Sequence, residues 1–319
     1  MDECTEVGER ELIRRISKIL GGIVNDDCAV IDSGEKYLVA TTDMLHRKSD
    51  FPDIMTPWQI GWMTVAVNLS DVAAMGAEPS GLLIASGIPQ GAELPLIDGI
   101  FEGLRDCAGT YGTSIIGGDM DSTDELNLTA CALGFVEKDL ILRRSGAMPG
   151  DLLCTTGTLG AAGAGLKAWQ KGDLGSKFIK SLLEPRPKID EGRALAKSRS
   201  VTAMMDNSDG LALSLSDLSE VSGVGFNVLE ERIPLPSGIE NVAGKKEALD
   251  MVLRAGGDFE LIFTVRPDRI EDARKACPLT VIGSAVSEGL WIESKGEKHR
   301  LSPEGYEHSL RRCSPGRKP

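Results

Sequence analysis

Six short acidic segments lie along this chain, each where an apolar run meets a turn or a helix. Carboxylates gathered from distant parts of a fold repel one another unless a cation lies between them. Magnesium is the usual hard cation where the ligands are aspartates and the substrate carries phosphates. The pattern therefore predicts a fold that brings these segments together around Mg²⁺. The segments are Asn25-Asp26-Asp27, Thr41-Thr42-Asp43, Asn68-Leu69-Ser70-Asp71, Gly117-Gly118-Asp119, Asp206-Asn207-Ser208-Asp209-Gly210 and Gly256-Gly257-Asp258.

The chain length predicts two domains, because 319 residues exceed what one ordinary hydrophobic core supports. The composition changes at Ser145-Gly146-Ala147-Met148-Pro149-Gly150-Asp151, which we interpret as the boundary between domains 1–147 and 148–319. Apolar residues at helical spacing alternate with short apolar runs typical of strands. The expected fold class is α/β (or α+β), with a sheet in the N-terminal domain and a second α/β domain after it.

Individual elements follow from the same periodicities. Helices are expected over residues 8–20, 57–77, 94–111, 177–183, 189–198 and 211–222. Strands are expected over residues 28–31, 37–42, 82–86, 114–116, 126–136, 152–155, 201–205, 226–229, 261–265 and 280–282.

Charge and composition disfavour several classes of protein. The formal net charge of −13 opposes binding to nucleic acid, which needs a basic surface. No apolar stretch approaches the roughly 20 residues of a membrane span, and the first residues do not form a basic and then apolar leader. We therefore expect a cytoplasmic protein that contacts neither nucleic acid nor membrane.

The numbers and spacing of cysteines and histidines also limit the kinds of site that the chain can form. The seven cysteines are scattered without a Cys-x-x-Cys pair, so a disulfide framework or a structural zinc site fits poorly. Only three histidines occur, which argues against a histidine metal site or a Ser-His-Asp triad. The chemistry is therefore expected to rest on carboxylates.

Two of the aspartates follow or interrupt apolar elements. Asp43 comes after an apolar strand without a Gly or Pro turn signal, and Asp71 lies in a helix among apolar neighbours. A carboxylate in such surroundings costs several kcal/mol unless it is paired or bound to a metal. The alternative for Asp71 is that it shares one solvated helix face with Asn68.

Two further segments allow two interpretations each. Asp26-Asp27 is either a metal-bridging pair or a polar turn before a strand. Gly117-Gly118 would let backbone N–H groups approach a phosphate while Asp119 holds a cation. A Gly-Gly-Asp sequence is also a common turn.

The second half offers candidate phosphate contacts. Asp206 and Asp209 flank Ser208 just before an expected helix start, where both helix caps and bound phosphates occur. The pair Arg143-Arg144 at the domain boundary could bind a nucleotide phosphate or could be a solvated basic pair. The sequence contains no Gly-x-x-x-x-Gly-Lys-Ser/Thr loop, no kinase His-Arg-Asp and no complete Gly-x-Gly-x-x-Gly unit. Any ATP site must be built without these common phosphate loops.

Taken in this order, the motifs resemble those of the thiamine-monophosphate kinase family. That family belongs to the superfamily of aminoimidazole ribonucleotide synthetase, selenophosphate synthetase and the hydrogenase-maturation dehydratase. The resemblance runs from residue 25 to residue 308. The most specific matching segments are Thr41-Thr42-Asp43-Met44, the run from Val67 to Ala77, Gly117-Gly118-Asp119, the run from Arg144 to Asp151, Asp206-x-Ser208-Asp209-Gly210-Leu211 and the run from Gly256 to Leu261.

The resemblance implies a homodimer formed by the N-terminal sheet domains, with ATP and several Mg²⁺ ions in a cleft. By the family pattern the metal ligands would be Asp27, Thr42, Asp43, Asp71, Asp119, Asp206 and Asp209. Contacts to ATP would come from Gly118, Asp119, Arg144 and Ser208. The catalytic aspartates would be Asp71, Asp119 and Asp209, and Asp50 would lie near the thiamine phosphate.

Three positions depart from the family pattern. Asn25 stands where the family has Gly, which is compatible with the left-handed conformation that Asn tolerates. The segment around Asp258 is one residue shorter, so the substrate-side Glu is absent and Asp258 is the candidate to replace it. Ser309 stands where an aromatic residue is expected.

The implied reaction moves the γ-phosphoryl group of ATP onto thiamine monophosphate. Two alternatives are open at this point. One is another ATP-using enzyme of the same superfamily that activates an amide or carbonyl oxygen. The other is a non-catalytic regulator that binds ATP or a metabolite.

Overall fold

The computed structural model describes residues 8–307 of the chain. His308 and Ser309 of the C-terminal motif lie outside the described residues. The helices are α1 Glu9–Ile19, α2 Pro57–Ala74, α3 Leu94–Thr110, α4 Ala161–Gln170, α5 Phe178–Leu183, α6 Ile189–Ser198, α7 Leu211–Ser222, α8 Lys245–Arg254 and α9 Ile270–Ala276. The strands are β1 Ala29–Ser33, β2 Lys36–His46, β3 Glu78–Pro89, β4 Ile115–Thr123, β5 Asn127–Glu137, β6 Leu152–Thr155, β7 Val201–Asp206, β8 Gly225–Leu229, β9 Leu261–Val265, β10 Thr280–Val286, β11 Leu290–Ser294 and β12 Glu297–Arg300.

The first half contains a five-stranded sheet in the order β1-β2-β5-β3-β4. Strands β3 and β4 are parallel and the other neighbours are antiparallel. Side chains alternate between the two faces of a sheet. One face is buried against helices and carries residues such as Val39 and Ala130. The other face carries exposed apolar side chains, and we call it the open face: Ile31, Met44, Leu83 and Phe135.

Helix α2 lies at the centre of the molecule. Its first turn is set by a capping box, in which Thr56 Oγ1 accepts from the Gln59 backbone and Gln59 Oε1 accepts from the Thr56 backbone. The helix is apolar on nearly all sides, which is typical of a fully buried helix. It packs on the first sheet and also on α6, where Gly192 has no side chain to clash with the carbonyl of Ala73.

The second half contains a seven-stranded sheet in the order β12-β11-β8-β10-β6-β9-β7. Strands β8 and β11 are parallel, and the other neighbours are antiparallel. One face packs with α2, α6 and α9 in a core that continues into the first half. The other face packs with α7 and α8 in a second core. The end of β7 therefore lies beside α2, and this places residues of both halves around one cleft.

Several expected elements agree with the structure and several do not. Helices α6 and α7 and strands β6 and β9 have the bounds expected from periodicity. Helices α4, α8 and α9 and the hairpin of β11 and β12 were not predicted. Strand β2 continues to His46, so Asp43 lies inside the strand and not at its end. Strand β4 continues to Thr123, so Gly117-Gly118-Asp119 lies within a strand and not in a turn.

The reason for the glycines in β4 is close packing of two strands. A Cβ at Gly118 would lie 1.9 Å from the carbonyl oxygen of Ile84 in β3. The alternative in which Gly117-Gly118-Asp119 is a common turn is therefore wrong. The contact of Gly118 with ATP stays a prediction. Among the described helices, none combines the length and the apolar character that a membrane crossing needs.

Candidate active site

Three aspartates from distant parts of the chain meet at the junction of the two halves. Asp27 precedes β1, Asp71 lies in α2 and Asp206 ends β7. Each offers a carboxylate oxygen, and these oxygens all lie within 4.8 Å of one another. Asp27 is 7% exposed and Asp206 is 1% exposed, so water does not screen their charges. We call Asp27, Asp71 and Asp206 the carboxylate cluster.

Each member of the carboxylate cluster has a defined donor. Thr41 Oγ1 donates to Asp71 Oδ2 at 2.6 Å, and Ser70 Oγ donates to Asp206 Oδ2 at 2.6 Å. Arg144 Nη2 donates to Asp27 Oδ1 at 2.8 Å. The second oxygen of Asp27 is buried and accepts no hydrogen bond from the described residues. That oxygen has lone pairs available to a cation.

Burial and mutual repulsion raise the pKa values of these carboxyls. Burial raises the pKa of Asp206 to about 7, and the charge of Asp27 adds to the effect. Burial also raises the pKa of Asp71 well above its usual value, with the charges of Asp43 and Asp206 acting in the same direction. The pKa of Asp27 is raised by burial although Arg144 opposes the rise. The carboxylate cluster therefore holds either protons or a cation.

Two more predicted ligands lie beside the carboxylate cluster. Asp43 and Asp209 both line the cleft, and their charges act on Asp71 and Asp206 respectively. Asn68 is fully buried, where its side chain accepts from the Asp43 backbone and donates to the Thr64 carbonyl. The alternative in which Asn68 and Asp71 share a solvated helix face is therefore wrong.

The two threonines of β2 have opposite orientations. Thr41 faces the carboxylate cluster and Thr42 lies on the open face, because side chains alternate along the strand. The Thr42 hydroxyl donates to the carbonyl of Ala130 at 2.9 Å. Within one chain, Thr41 and not Thr42 contacts the carboxylate cluster. Thr41 is not among the ligands expected from the sequence, although the parity of the strand relative to Asp43 was a usable signal.

The paired acids Asp26 and Asp27 have different partners. Asp26 accepts from Arg143 Nη1 at 3.1 Å and from the Arg144 backbone at 3.0 Å. Asp26 therefore positions the loop that carries Arg143 and Arg144, which we call the arginine loop, whereas only Asp27 belongs to the carboxylate cluster. The interpretation of Asp26-Asp27 as a metal-bridging pair does not hold for Asp26.

Asp119 is distant from the carboxylate cluster within one chain. It pairs with Ala85, which pairs with Thr129, which pairs with Met44 in β2. Three strand spacings separate β4 from β2, which is on the order of 14 Å. Asp119 is exposed and, by this register, lies on the open face together with Thr42.

Arg144 and Ser208 are the candidate phosphate contacts that line the cleft. Arg144 Nη1 also donates to Asn25 at 3.3 Å, so the guanidinium is held at the entrance to the carboxylate cluster. Burial works against the charge of Arg144, but Asp27 and neighbouring carboxylates hold its pKa above the ordinary value. Ser208 lies in the segment before α7, and its backbone carbonyl accepts a hydrogen bond from the Gly257 N–H.

The two candidate substrate residues differ in their surroundings. Asp50 lines the cleft, and its Oδ2 accepts from the His46 backbone and from Ser49 Oγ, both at 2.7 Å. Asp258 accepts from the backbone N–H groups of Gly160 and Ala162 at 2.6 and 3.0 Å. Asp258 therefore caps helix α4. The substrate role predicted for Asp258 rests only on its place in the family pattern.

A cleft of about 1620 Å³ lies between the two halves. Its polar part contains Asp71, Asp206, Arg144 and Ser208. Its walls include apolar residues of α1 and α4, such as Ile13, Ile16 and Trp169. The cleft is large enough for a nucleotide and a second small molecule, since ligand pockets commonly measure roughly 300–1,000 Å³.

Comparisons with known proteins agree with this architecture. The family model of the AIR synthase related protein N-terminal domain matches residues 25–136. The C-terminal domain model of the same proteins matches residues 148–290. A solved structure of AaThiL complexed with AMPPCP and TMP superposes with a TM-score of 0.87 at 28% identity, covering 97% of this chain and 99% of that chain. A structure of the hydrogenase maturation protein HypE in complex with ATP has a TM-score of 0.71 at 20% identity, over 88% of each chain, and shares the fold.

Curated relatives are similar over nearly the whole chain. Thiamine-monophosphate kinase of Methanospirillum hungatei is 43% identical over 301 residues, or 94% of this chain and 99% of that protein. The enzyme of the same name from Halobacterium salinarum is 35% identical over 300 residues, or 92% and 99%. The Escherichia coli enzyme is 33% identical over 300 residues, or 89% and 91%. With the fold, the cleft and its carboxylate cluster, these similarities establish that the chain belongs to the thiamine-monophosphate kinase family.

Proposed function

We propose that this protein transfers the γ-phosphoryl group of ATP to the phosphate of thiamine monophosphate, which yields thiamine diphosphate and ADP. The observation that carries the proposal is the carboxylate cluster in the cleft, with Arg144 bonded to it. Relatives at up to 43% identity carry the name of this activity, and the AaThiL structure holds AMPPCP and TMP.

The donor set of the carboxylate cluster fits Mg²⁺. All of its donors are carboxylate oxygens, which hard cations prefer. One buried oxygen of Asp27 has no hydrogen-bond donor among the described residues, and three carboxylates so close together require a positive charge. Asp27, Asp71 and Asp206 would hold a first ion, and Asp43 and Asp209 lie where they could help to hold further ions. Bound Mg²⁺ supplies positive charge that offsets the charge of the phosphate groups.

The reaction brings together two anions, the triphosphate of ATP and the phosphate of thiamine monophosphate, in an in-line arrangement. An oxygen of the acceptor phosphate forms a new bond to the γ-phosphorus, and the bond from that phosphorus to the bridging oxygen of ADP breaks. The acceptor phosphate is already anionic near neutral pH, so the site needs no general base to create the nucleophile. Arg144 stays protonated and presents its guanidinium to the cleft, where Ser208 offers a hydroxyl.

Asp50 is the carboxylate that we assign to the substrate. Two donors fix its orientation, and it lines the cleft from the loop after β2. A fixed carboxylate in this place suits the positively charged thiazolium ring of thiamine. Asp258 is committed to the backbone of α4, so it is the weaker candidate.

We further propose that two copies pair through the open face. The open face bears exposed Ile31, Met44, Leu83 and Phe135, and several large apolar side chains exposed on one face are typical of an interface. Asp119 and Thr42 lie on this face as well, so a second copy seated there is the arrangement in which they join a cation site. The cytoplasmic location expected from the sequence stays a prediction.

The direct test is an assay of the purified protein with ATP, Mg²⁺ and thiamine monophosphate. Chromatography should show thiamine diphosphate and ADP in equal amounts. Thiamine in place of its monophosphate is the control and should give no product. ATP binding without any thiamine diphosphate would contradict the proposal and favour a regulator or another reaction of the superfamily.

A further inference from the structure

A chain of ion pairs connects helix α1 to the carboxylate cluster. Arg10 of α1 donates to Asp217 of α7 through Nη1 at 2.6 Å and Nη2 at 3.1 Å. The Oδ2 atom of Asp217 lies 3.7 Å from Arg144 Nη1, and Arg144 Nη2 in turn donates to Asp27. Asp217 thus lies between two guanidinium groups, one on each side.

This ion-pair chain becomes more buried as it approaches the carboxylate cluster. The exposed fraction of the side chain is 27% at Arg10, 15% at Asp217 and Arg144, and 0% at Asp27. Solvent screens exposed pairs strongly and buried pairs much less. The Asp217–Arg144 contact therefore acts on Arg144 more strongly than a surface ion pair would.

The charge of Asp217 matters because Asp27 has two possible partners. Without a cation, Asp27 is the nearest counter-charge of Arg144. A cation held by the carboxylate cluster attracts the Asp27 carboxylate and repels the Arg144 guanidinium. Asp217 lies outside the carboxylate cluster. Its carboxylate therefore stays paired with the Arg144 guanidinium when Asp27 also binds a cation.

We propose that Asp217 is a positioning residue, which holds the Arg144 guanidinium at the cleft and joins it to α1 through Arg10. The proposal rests on the proposed function in one respect, namely that Arg144 contacts the phosphates of the nucleotide. Asp217 lines the cleft, but the role proposed for it is not a contact with substrate. It acts through Arg144, and Arg10 keeps its carboxylate in a single orientation by a bidentate contact.

The Arg10–Asp217 pair also attaches helix α1 to the second half of the chain. No residue of α1 is fully buried, although Ile13 and Ile16 line the cleft. Its ion pairs to α7 are Arg10–Asp217 and Arg14–Glu220. The bidentate Arg10–Asp217 pair is thus the stronger of these two attachments of α1 to the second half.

The test measures nucleotide binding by calorimetry with AMPPCP and Mg²⁺, which does not require thiamine monophosphate. Asp217→Asn should weaken binding about tenfold, which corresponds to about 1.4 kcal/mol. Glu220→Gln is the matched control, because it makes the same charge change on the same helix at a residue that pairs with α1 and not with Arg144. It should leave the affinity unchanged.

A double-mutant cycle distinguishes positioning from a purely structural role. Arg144→Lys alone should weaken binding, and adding Asp217→Asn to it should cause little further loss, because Asp217 acts through the guanidinium. Asp217→Glu keeps the charge and should restore most of the affinity. If thiamine diphosphate formation fails in the wild type but this cycle holds, the proposed function is wrong and the role of Asp217 stands.

Three outcomes would overturn the proposal. The first is additive losses in the cycle, and the second is an Asp217→Asn affinity equal to that of Glu220→Gln. Asp217→Ser is measured beside Asp217→Asn, with thermal unfolding of both, so that the conclusion does not depend on one variant. The third is a failure of both variants to fold, since Asp217 would then be a structural residue.

Discussion

Ser70 Oγ donates a 2.6 Å hydrogen bond to Asp206 Oδ2, and both side chains are buried. This bond joins α2 of the first half to the end of β7 in the second half. It also orients one carboxylate of the carboxylate cluster. The same contact therefore serves the packing of the two halves and the geometry of the site.

Ser70→Ala should raise the Mg²⁺ concentration needed for half-maximal activity about tenfold. The reason is that loss of a hydrogen bond to a metal ligand typically costs roughly 10- to 100-fold in metal affinity. The measurement is a Mg²⁺ titration of turnover at saturating ATP. Thr110→Ala is the control, because its hydroxyl bonds to a carbonyl in its own helix outside the cleft. An unchanged Mg²⁺ requirement would show that Ser70 has only a packing role.

Asp71→Asn should lower turnover on the order of 100-fold or more while the protein stays folded. Asp71 is a member of the carboxylate cluster, and the substitution removes a charge that bound Mg²⁺ requires. Steady-state kinetics and circular dichroism measure the two effects. Asp32→Asn changes an exposed aspartate paired with Lys138 and should keep normal activity. Near-normal turnover of Asp71→Asn would remove Asp71 from the catalytic site.

The affinity for Mg²⁺ should fall as the pH is lowered through about 7. The pKa of Asp206 is raised to about 7, so protons occupy the carboxylate cluster below that pH and compete with the cation. Calorimetric titration between about pH 6 and pH 8 should show a loss of up to about tenfold per pH unit for each proton displaced. An affinity that does not change across this range would contradict the assignment of Asp206 as a ligand.

The same pKa shift has a consequence for stability without metal. A carboxyl whose folded pKa is raised stabilises the fold at low pH, and this contribution is lost as the pH rises towards the folded value. In chelator, the melting temperature of Asp206→Asn should therefore depend less on pH between about 5 and 8 than that of the wild type. A parallel pH dependence of the two proteins would show that Asp206 does not titrate in this way.

Leu83→Glu should convert the proposed dimer to a monomer. Leu83 is 41% exposed on the open face, and a buried carboxylate without a partner would oppose association. Light scattering after size exclusion gives the mass in solution. Leu235→Glu is the control, because Leu235 is similarly exposed at 38% and lies in the second half. Equal masses for both variants would place the interface elsewhere.

Gly61→Ala should destabilise the protein by about 3 kcal/mol. A Cβ at Gly61 in α2 would lie 2.0 Å from the Ile100 carbonyl oxygen, and this backbone atom of α3 cannot move away easily. Gly109 is the matched control in α3, because a Cβ added there would meet no atom within 4 Å beyond the backbone of its own helix. Gly109→Ala should therefore stabilise the protein by about 0.5–1 kcal/mol. Denaturant unfolding of both variants measures the difference.

The local sequence pattern was sufficient to predict many of the helices and strands and to select residues of the site. The helical spacing after the Asp206–Gly210 segment predicted α7, and the apolar run from Leu261 predicted β9. The family motifs selected Asp27, Asp71 and Asp206, which the structure brings together. Helices α8 and α9 were missed because they are short and partly polar, so their packing on the second sheet decides them more than their periodicity does.

The orientation of individual side chains was beyond local pattern. Thr41 and Thr42 are adjacent in a strand, so their side chains lie on opposite faces of the sheet. Their parity relative to Asp43 distinguishes them only once the strand is known to include Asp43, and the expected strand ended at Thr42. Asp258 appeared available for substrate, but its carboxylate lies at the N-terminus of α4, where backbone N–H groups bind it.

The sequence by itself determined many of the helices and strands, the acidic chemistry and the family, because these depend on residue identity and short-range spacing. The tertiary structure alone decided that Asp26 turns to the arginine loop while Asp27 joins Asp71 and Asp206. It alone also placed Asp217 between Arg10 and Arg144. These contacts join residues more than 40 positions apart, and only the packing of α2, β7 and α7 around one cleft brings such residues close together.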